Sequence, residues 1–118
     1  MYKIRGELTM LKKFETKLQN SEEWESKEKK RKLYIVMKHL KSAMSLISSN
    51  KSTEQILWDY ITNYQDSEYI DRSFTDKALE FLSKSGIINS TVALPSEIKK
   101  YHPSNDFDEA FKFVENLC

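Results

Sequence analysis

Apolar residues recur along this chain at spacings of three and four, the period of a helix that buries one face. Leu8, Leu11, Phe14 and Leu18 form the first such stripe and predict a helix over residues 7–19, which Ile4 would extend by one turn. Leu33, Met37, Leu40, Met44 and Ile47 repeat as four, three, four, three, with Val36 and Ala43 widening the face, and predict a long second helix over residues 21–48. The heptad spacing of a coiled coil is not sustained before Leu33, because residues 26–32 are almost entirely charged, so the stripe asks for bundle partners instead. Ser52 followed three positions later by Gln55 marks a capped helix start, and Ile56, Leu57, Tyr60, Ile61 and Tyr64 then share one face.

The second half of the chain continues in the same way. Ser73 is read as the cap of a fourth helix, with Asp76 near its positive end and Ala78, Leu79, Phe81 and Leu82 on the buried side. Gly86 stands where a left-handed residue closes a helix, and Ile87 beyond it can fold back on the last turn. Residues 87–94 carry the one strand-like composition, with Ile, Val and Thr around Asn89 and Ser90, and are read as a short hairpin turning there or a buried loop. Pro95 and Ser96 are read as opening a short helix through Tyr101, stopped by Pro103 after His102. A last helix is predicted from about Asn105, with Phe107, Ala110, Phe111, Val114 and Leu117 inward and Asp106, Asp108 and Glu109 at its start.

The elements together predict a mainly α, single-domain bundle of about five helices over residues 1–118, with one short hairpin near residues 87–94 and residues 1–6 loose. Composition strengthens the helical reading: two glycines and two prolines stand where ordinary usage gives about eight and about six, too little punctuation for a sheet-rich fold. A length of 118 residues suffices for one hydrophobic core. The expected core is Leu33, Leu40, Met44, Ile56, Tyr60, Phe81, Leu82, Phe111 and Val114. No apolar run approaches a membrane span or a secretory leader, so a cytoplasmic location is expected; Met10 competes with Met1 as the start. The lone cysteine, Cys118, fits a reducing compartment.

Catalytic patterns are scarce. Phosphate cradles need several clustered glycines, and a zinc site needs about four ligands where this chain has one terminal cysteine and two distant histidines, so neither a cofactor nor a metal is expected. His39 lies at the flank of the second helix and reads as a structural or surface residue. His102 reads as a solvated turn histidine, with Asp106 and Asp108 near enough in sequence for a carboxylate pair or metal contact but better explained as helix-start charges. No serine stands in a nucleophile motif, and nothing near Cys118 favours its thiolate. The expectation is a protein without turnover chemistry.

Charge is more informative. Residues 1–50 hold twelve Lys and Arg against six Asp and Glu, whereas residues 51–118 hold seven against twelve, so the halves carry +6 and −5 beneath a net charge of +1. On the second helix Lys27, Arg31, Lys38 and Lys41 share a stripe with Tyr34, a surface suited to phosphates or to an acidic partner; the plainer account is a solvated helix face relieved by Glu22, Glu23, Glu25 and Glu28. Trp24, Trp58, Tyr69 and Phe113 fall outside the best apolar faces, and Trp58 beside Tyr69 would make a protein-binding anchor if exposed. The leading expectation is therefore a helical inhibitor, adaptor or immunity-type factor that binds another protein through Lys27, Arg31, Tyr34, Lys38, Lys41, Trp58 and Tyr69. In size, charge and amphipathic helices the chain resembles the bacteriocin immunity proteins, which are antiparallel four-helix bundles; the likeness is one of type and no residue motif carries it. Phage- or plasmid-encoded inhibitors of host systems share it. The second expectation is a nucleic-acid-binding regulator, because residues 73–94 run helix, Gly-Ile-Ile, hairpin, in the order of the end of a winged helix; the acidity of this half counts against it.

Overall fold

The computed structural model describes residues 9–46, 50–93 and 98–118. Several expectations fall outside these residues: Ile4, the loose start, the opening of the first helix at residues 7–8, Ile47 on the second stripe, and the proposed helix start at Pro95 and Ser96. Among the described residues the chain forms five α-helices and a two-stranded antiparallel sheet: α1 (Met10–Asn20), α2 (Lys27–Met44), α3 (Thr53–Asn63), α4 (Arg72–Lys84), β1 (Ile88–Ala93), β2 (Ile98–Pro103) and α5 (Phe107–Leu117). The mainly helical expectation holds. None of the helices described is long and apolar enough to cross a membrane.

The second stripe is the axis of the molecule. Leu33, Val36, Met37, Leu40, Ala43 and Met44 are all buried, and α2 packs chiefly against α3 and α5, with α1 also resting on α5. The expected single helix over 21–48 is broken at its charged end. Ser21 accepts from the Glu23 N–H to start a 3-10 turn over Glu22–Trp24, and Ser26 accepts from the Lys29 N–H at 3.1 Å to start α2 afresh. The break has a packing cause: it turns Trp24 inward, where only 2% of the residue is exposed and its ring lies 4.9 Å from Phe81 and 5.6 Å from Phe74. Trp24 is thus a core residue and not a surface aromatic.

Ser52 caps α3 by accepting from the Gln55 N–H at 3.1 Å, as its sequence predicts. Asp71, not Ser73, caps α4, accepting from the Phe74 N–H at 2.8 Å; Ser73 already lies within the first turn of the helix, so the carboxylate two residues earlier holds the cap position. At the far end Gly86, with φ of 73°, closes α4 in a Schellman motif, with Ile87 N–H to Leu82 O at 2.9 Å and Gly86 N–H to Ser83 O at 3.1 Å. Ile87 and Ile88 are fully buried beyond it.

The hairpin is longer than expected and does not turn at Asn89 and Ser90. Asn89 and Ser90 lie within β1, opposite His102 and Tyr101, and the register runs from Ile88 against Pro103 to Ala93 against Ile98. The expected short helix through Tyr101 is strand β2 instead. Cross-strand pairing and tertiary anchoring override its helical pattern: the Tyr101 N–H donates to Thr53 Oγ1 at 2.9 Å and Lys100 Nζ donates to the Lys51 carbonyl at 2.6 Å, tying β2 to the start of α3. His102 is consequently a strand residue, half-buried, with Nε2 2.9 Å from Thr91 Oγ1, and not a solvated turn histidine. Of the nine expected core residues, six are buried; Tyr60, Phe81 and Phe111 are half-buried, each with its ring against another aromatic at the edge of the core.

Candidate functional site

The residues of the basic stripe do not act as one surface. Arg31, Tyr34 and Lys38 line an open cleft of about 500 Å³ together with Ile35, His39, Ser42, Tyr64 and Asp66, between the middle of α2 and the end of α3. Both cations are exposed, and neither makes an ion pair among the described residues. Lys41, one turn on, leans away to Asp108 on α5 at 3.5 Å. Lys27 lies near the chain's last residue, where its charge and that of Arg31 reach Cys118.

Aromatic rings form both flanks of the cleft. Tyr34 is stacked on Phe111 of α5, with centroids 5.4 Å apart and planes within 5°. On the other side His39 lies nearly parallel to Tyr60 and Tyr64, at 6.2 and 5.2 Å. The helical stripe predicts Tyr64 inward, yet it is 65% exposed, because α3 ends at Asn63 and Tyr64 begins the turn that leaves the core. Gln65 follows with φ of 64°, a left-handed conformation that non-glycine residues seldom adopt, and it swings the chain so that Asp66 returns to α2. Asp66 Oδ2 then lies 2.9 Å from His39 Nε2, so the buried imidazole has a partner and the one carboxylate among the cleft's described residues is engaged.

The two surface aromatics expected to pair are apart. Trp58 is half-buried beneath the Arg72 guanidinium, 5.2 Å from its ring centroid, while Tyr69, 37% exposed, lies under Lys32 Nζ at 5.0 Å. No ring contact joins them among the described residues. Phe113 packs partly against the core. Sequence reasoning missed Ile35, Tyr64 and the His39–Asp66 pair; the only signal for the pair was a histidine at the flank of an apolar face, which fixes a position but not a partner.

Other chemistry is limited. Cys118 donates through Sγ to the Val114 carbonyl at 3.3 Å, and packing around the sulfur pushes its thiol up, away from the reactive thiolate. Asp106 begins α5 without a side-chain cap bond and Asp108 pairs with Lys41; among the described residues no three His, Cys, Asp or Glu side chains are grouped to hold a metal ion. Glu54 and Asp76 share a second cavity of about 540 Å³ with Glu80, Lys84 and Lys99, between α4 and the hairpin. There burial, a hydrogen bond to Asp76 and its charge hold Glu54 above the usual carboxylate range. No known protein family, curated protein or solved structure matches this chain, and its candidate site stands on its own geometry.

Proposed function

We propose that this protein works in the cytoplasm by binding another protein, as an inhibitor, adaptor or immunity-type factor without turnover chemistry, and that the cleft between α2 and the end of α3 is its binding face. One observation supports the reading above the rest: a strongly exposed tyrosine, Tyr64, stands across a preformed cleft from Tyr34 with two exposed cations, Arg31 and Lys38, that make no ion pair among the described residues. Aromatic and arginine side chains dominate the energetics of protein interfaces, and a ring already held in a stack loses little freedom on binding. Affinity capture from the source cell with the whole chain, beside Tyr64→Ala and the surface control Lys12→Ala, tests it. A partner retained by the control and lost by Tyr64→Ala supports the face; a partner retained equally by all three places it elsewhere.

A second reading has its own support. The order α2, α3, α4 and an antiparallel hairpin is that of a winged helix, which would make α4 and the hairpin a nucleic-acid surface. Charge weighs against it: the groove between α4 and the hairpin holds Glu54, Asp76 and Glu80 against Lys84 and Lys99, where a phosphate backbone needs net positive charge. A salt-sensitive mobility shift with random duplex, abolished by Lys84→Gln with Lys99→Gln, would favour this reading over the first.

A further inference from the structure

We infer that the occupant of the α2–α3 cleft is an amphipathic helix of the partner carrying acidic residues one heptad apart with an apolar residue between them. The inference rests on the protein-binding reading and adds the chemistry of the bound segment. Arg31 and Lys38 are seven positions apart on α2, a rise of about 10.5 Å along the helix, and they lie on one face because seven residues span nearly two turns. Tyr34 and Ile35 occupy the middle of that interval, half-buried, and Tyr64 closes it from the α3 side. From end to end the surface therefore reads cation, apolar and aromatic, cation.

Charge complementarity selects the occupant. Among the described residues the cleft sets two cations, Arg31 and Lys38, against one carboxylate, Asp66, which lies 2.9 Å from His39, and neither cation has an ion-pair partner, so the face keeps a net positive charge. The neighbouring Lys41 marks the contrast, since α5 supplies Asp108 to it within the fold. A helix laid along α2 repeats the same seven-residue period. It places carboxylates against Arg31 and Lys38 and its intervening leucine or phenylalanine between Tyr34 and Tyr64. An extended strand would find no open sheet edge here, because both flanks of the cleft are helical or come from the turn that ends α3.

The probe is a synthetic helical peptide with glutamates at two positions one heptad apart and a leucine midway, titrated into the whole chain labelled for amide NMR. Shifts confined to residues 31–42, Tyr64 and Asp66 are expected. Arg31→Glu with Lys38→Glu should weaken binding roughly tenfold or more, and a peptide with lysines in place of the glutamates should recover it on that variant alone. Shifts that fall elsewhere, or a charge-reversed variant that binds the acidic peptide as well as the parent chain, overturn the inference, as does a single-stranded oligonucleotide that produces the cleft shifts when the peptide does not. Failure here is separable from failure of the binding face. A captured partner that Tyr64→Ala loses but the peptide does not displace keeps the face and removes the acidic helix; a partner indifferent to Tyr64→Ala removes the face itself.

Discussion

Leu40 is fully buried on α2, the helix that packs chiefly against α3 and α5. Truncation to alanine should cost about 2–5 kcal/mol, the cost of lost transfer energy plus an unfilled cavity, read as a lowered midpoint in urea with an unchanged slope. An unmoved midpoint would mean that α2 does not carry the core. Glu54 gives a prediction of a different kind. Burial first, then the hydrogen bond and charge of Asp76, raise its proton affinity in the folded chain above that in the unfolded one. A carboxyl with a raised folded pKa binds its proton more tightly when folded, so it favours the fold below its usual range and that contribution is lost as pH rises through the raised value. Stability should therefore fall with increasing pH across that interval, and Glu54→Gln should flatten the slope. The slope is the proper readout, because Glu54 also lies in the first turn of α3, where its negative charge is favoured by the helix dipole and the absolute change mixes both effects.

At the scale of elements, the cap of α4 separates two accounts of one helix start. Asp71→Ala should destabilise the fold by about 0.5–2 kcal/mol, since it removes the acceptor for the Phe74 N–H, whereas Ser73→Ala should change it by no more than about 0.5 kcal/mol. Equal losses at both positions in thermal melts would return the cap to Ser73. The helices were legible because their apolar spacing and terminal residues are local: Ser52 with Gln55, and Gly86 with Ile87, specify their ends by atoms a few residues apart. What was not legible depends on distant contacts. β2 reads as a helix until Thr53 and the Lys51 carbonyl, nearly fifty positions earlier, capture Tyr101 and Lys100. The break before α2 is likewise decided by Phe74 and Phe81, which bury Trp24 from the other half of the chain.

Across the whole molecule the charge imbalance between the halves was plain in the sequence, but the site inside it was only partly so. Arg31, Tyr34 and Lys38 were found because a helix puts them on one face; Tyr64 and Asp66 were not, because their placement depends on where α3 stops and on the left-handed Gln65 that follows. The fold also divides the four basic residues that the sequence grouped. Lys41 is engaged by Asp108 and Lys27 does not line the cleft, whereas Arg31 and Lys38 both do and are exposed there. Two paired substitutions then test whether the cleft or the overall charge governs association. Arg31→Gln with Lys38→Gln, and Lys27→Gln with Lys41→Gln, each remove two positive charges and leave the chain equally altered in net charge. If long-range attraction alone matters, both should slow association with the captured partner to a similar degree and reduce its salt dependence alike. If the cleft is the contact, the first pair should in addition speed dissociation, because two charge-assisted contacts are lost within the interface, while the second should change the association rate alone. Neither pair should move thermal stability by more than about 1 kcal/mol, since exposed charges contribute little and glutamine has nearly the helix propensity of lysine and arginine. Surface plasmon resonance at two salt concentrations distinguishes the cases, and equal dissociation rates for the two variants would remove the cleft from the interface.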